Sequence, residues 1–197
     1  MIIATLLLCQ TPTTTDTVRE VVKHYQSLKT FSMSIEHSDS SGLFPGKYTQ
    51  DFTFDNGKFS LTVTSPKDSK VPNYSCDGKE VTTDRNGSKS TEPLNTDPNL
   101  MPGWEVSGGL IVSWLMKTPS AGFLFNPPQG FKLVMSPGKK TKWQEIDVNE
   151  VVVQMSGGQE TISVMLYLSK DNKWLVGMEH KSNGNGGWVK YTKQVGK

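Results

Sequence analysis

Residues Thr17–Glu36 read TVREVVKHYQSLKTFSMSIE, and this stretch decides the fold. Val18, Val21, Val22, Tyr25 and Leu28 recur at helical spacing and make one apolar stripe. Thr17 with Glu20 three positions on matches a capping box, which predicts the helix start. The period then changes. Phe31, Met33 and Ile35 alternate with Ser32, Ser34 and Glu36, the pattern of a half-buried strand. A lone amphipathic helix needs an apolar surface to lie on. Almost everything downstream reads as strand, so the surface is a sheet.

The chain has 197 residues, enough for one domain with a real core. Its net charge is +2, its lysines are scattered, and Arg19 and Arg85 are its arginines. No basic and aromatic cluster forms, so no nucleic-acid partner is expected. Ile2–Cys9 is an apolar run followed by Gln10 and a Thr/Pro-rich tract through Thr15. It reads as the hydrophobic part of a secretory signal. It is shorter than the ~20 residues a spanning helix needs. We assign residues 1–15 to a partial signal peptide and tether, and 16–197 to a single domain. Export to the periplasm or cell envelope is expected. Cys9 follows three leucines and is a candidate for lipid attachment and peripheral membrane association; cleavage nearby without lipid is the alternative. The other cysteine is Cys76, so no intramolecular disulfide is expected.

Lys47–Phe54 and Lys58–Ser65 flank Asn56-Gly57, the strongest short hairpin signal, because a type I′ turn needs positive φ at both positions. The register follows: Asp55 faces Lys58, Phe54 faces Phe59, and Phe52 faces Leu61. Asp77-Gly78, between Asn73–Cys76 and Lys79–Thr83, predicts a second turn of this type, with Cys76, Tyr74 and Val81 on one buried face. Asp84–Asn99 holds a third such pair, Asn86-Gly87, and reads as a loop or a further hairpin.

Leu110, Ile111, Val112, Trp114, Leu115 and Met116 break the strand rhythm. They predict a short helix over 107–117, with Ser107 as its cap and Pro119 as its stop. Its apolar surface is either core or a lid over something greasy. Beyond it, strands are expected at Phe131–Ser136, Lys142–Val148, Val151–Met155, Thr161–Ser169, Trp174–Ser182 and Trp188–Gln194. Turns are expected at Pro137-Gly138, Gly157-Gly158, Asp171-Asn172 and 183–187. Pairing across Asp171-Asn172 sets Leu168 against Leu175, Tyr167 against Val176, and Met165 against Met178. Both faces of that hairpin are then apolar, and each needs a cover.

No HExxH, CxxC, GxSxG, Walker or Rossmann pattern occurs. His24 is placed beside the helix stripe in solvent, His37 in a loop and His180 on a strand. No spacing joins them as metal ligands, and no cofactor, metal or catalytic residue is expected.

Three segments carry a resemblance. VREVVKHYQSLKTFSMSIEH is similar to the opening helix and first strand of the LolA/LolB lipoprotein-carrier superfamily. YSCDGKEVTT resembles its strand, Asp-Gly turn and strand, and ETISVMLYLSKDNKWLVGMEHKSNGNGGWVKYT resembles its closing strands. The resemblance implies a mainly β (α+β) fold: a curved antiparallel sheet forming an incomplete barrel, with an N-terminal helix and a central helical lid on its concave side. It also implies a non-enzymatic exported protein that binds a lipid or the acyl chains of a lipoprotein in an apolar cavity. The candidate cavity and lid residues are Phe31, Met33, Ile35, Phe52, Phe59, Leu61, Leu110, Ile111, Trp114 and Leu115. Met33, Met135, Met155, Met165 and Met178 lie on predicted strands and suit an adaptable pocket or a filled core equally. The carrier proper latches its lid with an arginine on an early strand; Thr49 and Gln50 occupy that region here. The alternative is an envelope sensor or protein-interaction module with a filled core and no lipid. A monomer is expected.

Overall fold

The computed structural model describes residues 13–40, 46–66, 70–94, 103–118, 124–127, 129–157, 160–182 and 185–197. The expected signal run, Cys9 and Pro119 lie outside them.

The first helix, α1 (Thr14–Ser27), starts one turn earlier than expected. Its capping box is Thr13 with Asp16, not Thr17 with Glu20. The Asp16 amide donates to Thr13 Oγ1 at 3.2 Å, and the Thr13 amide donates to Asp16 Oδ2 at 3.2 Å. Thr13 is extended whereas Thr17 is already helical, and Asp at the third position answers the cap as Glu would. Helix α1 thus takes in Thr14 and Thr15. Val18, Val21, Val22 and Tyr25 are buried; Leu28 caps the end and is half-buried.

Eleven strands follow: β1 (Thr30–Asp39), β2 (Gly46–Asp55), β3 (Lys58–Ser65), β4 (Asn73–Cys76), β5 (Glu80–Arg85), β6 (Ser88–Pro93), β7 (Phe131–Trp143), β8 (Ile146–Gly157), β9 (Glu160–Ser169), β10 (Leu175–Ser182) and β11 (Asn185–Gly196). The second helix, α2 (Gly103–Met116), lies between β6 and β7 in the chain. One antiparallel sheet runs β6-β5-β4-β3-β2-β1-β11-β10-β9-β8-β7. Each half is a meander, and β1 pairs with β11 to join them. The two ends, β6 and β7, stay apart, so the curved sheet is an incomplete barrel.

The first hairpin has the expected register: Asp55 opposes Lys58, Phe54 opposes Phe59, and Phe52 opposes Leu61. Asn56 and Gly57 have φ of 47° and 85°. Asn86 and Gly87 make a similar turn, which settles 84–93 as a hairpin. The Asp77-Gly78 turn differs. Cys76 opposes Val81, which leaves a longer connection than two residues. Asp77 Oδ1 accepts from the amides of Lys79 and Glu80, so the carboxylate shapes the loop.

Helix α2 also starts earlier than expected. Ser107 lies within it and is not its cap. At its end, Lys117 adopts φ of 52°; its amide donates to Trp114 O, and the Thr118 amide donates to Ser113 O. This is a Schellman motif with lysine in the place glycine usually takes.

The largest departures lie in β7 and β8. Pro137-Gly138 is not a turn: β7 runs through it with one extra residue before Lys140. Proline is tolerated there because β7 is an edge strand and the site is a bulge. The turn falls instead at Gln144-Glu145, where φ is 46° and 68° and Trp143 opposes Ile146. Lys142–Val148 is therefore split between two strands, and β8 runs unbroken through Asn149 and Glu150.

A bulge in β10 corrects the expected register of the β9–β10 hairpin. Leu175 opposes Leu168 as expected, but Tyr167 opposes Gly177 and Met165 opposes Glu179. Both faces of this hairpin are nevertheless covered. The helices cover the concave side. On the outer side Trp143 stacks on Tyr167 at 4.5 Å and packs with Val148 and Val176. Met165 belongs to this outer cluster and not to the concave face.

Candidate functional site

The concave face follows from strand alternation. Phe31, Met33, Ile35 and His37 point inward from β1, and Gln50, Phe52 and Phe54 from β2. The cross-strand rows extend this lining. Tyr191, Ile35 and Gln50 form one row, and Met33, Phe52, Leu61 and Tyr74 the next. On the other half, Val151, Leu166, Met178, Val189 and His37 form a row.

Helices α1 and α2 pack against each other over this face, α1 reaching β7 and α2 reaching β3. Tyr25 anchors α1. Its hydroxyl donates to Gln194 Oε1 at 2.6 Å and accepts from the Leu175 amide at 3.1 Å. Gln194 Nε2 completes the set by donating to Leu175 O at 2.9 Å. Both partners come from irregular backbone. The β10 bulge falls at Val176, directly after Leu175, and Lys193, with φ of 52°, marks a bulge in β11 beside Gln194. The Tyr25 ring packs on Trp114 at 5.5 Å, Phe31 at 5.6 Å and Trp174 at 5.6 Å.

The ten candidate cavity and lid residues all come together in or against one core. Phe31, Met33, Ile35, Phe52, Phe59, Leu61, Ile111, Trp114 and Leu115 have at most 4 % of their surface exposed, and Leu110 is half-buried. In this closed arrangement they pack on one another and on α1. The half-buried apolar side chains lie elsewhere on the inner face. Leu133, Met135, Val164, Met178 and Val189 come from β7, β9, β10 and β11 and adjoin the same core. Sequence reasoning left these out of the site, apart from the methionines, because alternation alone does not show where the helices end their cover.

Three polar side chains stand inside the apolar face. Gln50 is fully buried, and neither its Nε2 nor its Oε1 has a hydrogen-bond partner. Trp114 is fully buried with its Nε1 unpartnered. Tyr191 is buried against the Leu110 backbone, and burial pushes its hydroxyl well above the usual tyrosine range. A buried unpaired polar group costs about 1–3 kcal/mol, so the Gln50 amide and the Trp114 N–H weigh against the packing around them.

His37 and His24 depart from expectation, whereas His180 lies on a strand, β10, as expected. His37 is on β1, buried, and stacked on Tyr48 at 4.3 Å. His24 is half-buried, with its ring edge-on to Trp174 at 4.5 Å. Burial and the nearby Lys173 hold it below the usual histidine range. Burial raises the Cys76 thiol, as fits a small core side chain. Among the described residues no group of three or more His, Cys, Asp or Glu is disposed to hold a metal ion. No helix among them is long and apolar enough to cross a membrane.

No family model matches the chain, and no curated protein matches it in sequence. Solved structures do match in shape. The lipoprotein LppX of Mycobacterium tuberculosis superposes with a TM-score of 0.52 at 10% identity, over 90% of this chain and 92% of that one. LprF of Mycobacterium bovis gives 0.44 at 13% identity, over 90% of each chain. The LolA superfamily protein NE2245 of Nitrosomonas europaea gives 0.39 at 8% identity, over 93% of each chain. The chain shares its fold with LppX.

Proposed function

We propose that this protein is a non-enzymatic, exported lipid- or lipoprotein-binding protein that takes acyl chain between the concave face and α2. The observation that carries this reading is the patch of half-buried apolar side chains: Leu133, Met135, Val164, Met178 and Val189 adjoin the core on the inner face. Five such residues from four strands at one end of a covered face form a port that acyl chain can enter and then extend by displacing α2. Phe31, Met33, Ile35, Phe52, Phe59, Leu61, Leu110, Ile111, Trp114 and Leu115 would line the bound state. Ile111, Val112, Trp114 and Leu115 give α2 one apolar, buried face, which acyl chain could replace with like surface. Affinity comes from burial, at roughly 0.8 kcal/mol per CH₂. The apolar run at 2–9 would direct export, and a lipid on Cys9 would hold the protein at the membrane surface as a monomer. The test is native mass spectrometry of the purified chain, followed by organic extraction and by titration with palmitate. A bound mass that extracts as lipid, or palmitate uptake, supports the reading; a clean mass with no uptake overturns it.

A second reading has its own support. Nine of the ten candidate residues are buried in the closed form, as a filled core requires. A protein-interaction module of the envelope would then use the outer surface or the open sheet edges. A chain that takes up no palmitate yet retains a protein partner through mild crosslinking would favour it.

A further inference from the structure

The rows of the inner face end in charge beside the start of α1. Val151 belongs to the core, so by alternation Asn149 and Asp147 on β8 lie on the same face beyond it. Lys140 opposes Asn149, Lys142 opposes Asp147, and Lys170, at the end of β9, bridges to Asp147 at 2.8 Å. Lys140, Lys142 and Lys170 line one cleft. Lys140 and Lys170 also line a second, together with Lys139, Glu150 and the α1 residues Thr14 and Thr17. All four lysines are exposed, and among the described residues Lys170 alone of the four is in an ion pair. Asp147 and Glu150 are the acids of the two clefts, which leaves an excess of two positive charges. The acids of the neighbouring cleft have cations of their own: Asp16 pairs with Arg19, Glu20 pairs with Lys23, and Asp171 lies beside Lys173.

We propose that this lysine-lined end of the sheet is the surface the protein lays on a bilayer, and that it selects anionic phospholipid. The inference rests on the export reading above for the bilayer it meets, and not on the acyl cavity. Two observations favour a bilayer over a single bound phosphate. First, the charges are spread and mobile. Lys140 and Lys142 stand roughly 7 Å apart along β7, and Lys170 lies two strands from Lys142, roughly 10 Å away. Exposed ammonium groups at that spacing match a layer of phosphates, whereas the planar fork of an arginine is what selects one phosphate, and no arginine lines either cleft. Second, the chain enters the fold at this corner. Thr13 caps α1, Thr14 and Thr17 line the second cleft, and Cys9 stands four residues before Thr13, within about 14 Å of it at full extension. A lipid on Cys9 would hold this end of the sheet against the headgroups. One such chain anchors a protein only marginally, and a basic surface beside it supplies the second attachment.

The experiment measures sedimentation of the full chain with vesicles of phosphatidylcholine alone and of equal parts phosphatidylcholine and phosphatidylglycerol. The wild type should bind the anionic vesicles more tightly, and rising sodium chloride should erase the difference. Lys140→Gln with Lys142→Gln should cut the preference at least tenfold, at roughly fivefold per lysine. Lys79→Gln with Lys89→Gln, the same loss of charge towards the opposite edge of the sheet, should leave it intact. Asp147→Asn should sharpen it, because it removes the carboxylate among the lysines and frees Lys170. All five side chains are exposed, so the variants should keep the fold, which far-ultraviolet circular dichroism reads. Equal binding to the two kinds of vesicle, a preference that both double variants lower alike, or a weaker preference in Asp147→Asn overturns the docking surface. Loss of the preference in sodium phosphate but not in sodium chloride of equal ionic strength also overturns it, in favour of a site for one phosphate. Palmitate uptake reads the cavity separately, so either proposal can fall while the other stands.

Discussion

The amide of Leu175 donates to the hydroxyl of Tyr25 at 3.1 Å across 150 residues of chain. The bond ties the first helix to the start of the tenth strand, where Leu175 opposes Leu168 and the bulge at Val176 follows. Gln194 closes the arrangement from β11. All of the polar groups involved are paired, in contrast to Gln50 and Trp114 on the same face.

Tyr25→Phe should therefore destabilise the fold without emptying the core. The ring keeps its contacts with Trp114, Phe31 and Trp174, but Leu175 and Gln194 lose a partner in a buried setting. We expect a loss of about 1–3 kcal/mol in urea denaturation. Hydrogen exchange should show the amide of Leu175 losing protection first. Unchanged exchange at Leu175 would mean that the latch contributes nothing.

Gly177 opposes Tyr167 on the outer face, and Trp143 lies directly over it. A Cβ there would stand 2.3 Å from the indole ring. Gly177→Ala should cost about 1–3 kcal/mol, as overpacking does. In a Trp143→Leu background part of the cost should be relieved, and the rest should remain because the Val189 carbonyl oxygen would stand 2.7 Å from the same Cβ. Additive effects of the two changes would refute the contact as its cause.

Gln144 and Glu145 hold left-handed φ in the β7–β8 turn. Replacing them with Asn-Gly, as at Asn56-Gly57, should stabilise the protein by about 1 kcal/mol by relieving that conformation. The thermal midpoint reads the gain, and a fall would place the strain elsewhere.

Burial and Lys173 hold the His24 imidazole below its usual range, so the folded state binds fewer protons than the unfolded chain near pH 6. Its contribution is complete above the unfolded value of about 6.5 and declines as pH falls below it. His24→Gln should flatten this part of the profile between about pH 7.5 and 5.5. Parallel urea midpoints for the two proteins across that range would remove His24 as the source.

Met178→Asp places a charge in the half-buried apolar patch. Because Met178 is not fully buried, the sheet should keep its far-ultraviolet circular dichroism. Palmitate uptake should fall by at least tenfold if the patch is the port. Full uptake by a folded variant would move the entry elsewhere.

The first hairpin shows how much is local. Asn56-Gly57 and the alternation of Phe52, Phe54, Phe59 and Leu61 set both turn and register, since the turn geometry and the pattern agree. The helix stripe of Val18 to Tyr25 was legible for the same reason, although its cap was one turn early because Asp16 could serve as well as Glu20. The β7–β8 turn was not legible. Neither Gln144 nor Glu145 favours positive φ, and Pro137-Gly138 carried a stronger turn signal that the sheet absorbed as a bulge.

The amino-acid sequence by itself determined the elements, the run of short antiparallel strands and the apolar character of the face that became concave, because these depend on periodicity and on turn chemistry between near neighbours. Tertiary structure alone decided that β1 joins β11, that Tyr25 meets Leu175, that Trp143 lies over Gly177, and that Gln50 is fully buried without a partner. Each of these depends on strand register, bulges and helix placement summed over more than a hundred residues, and no local pattern encodes such a sum.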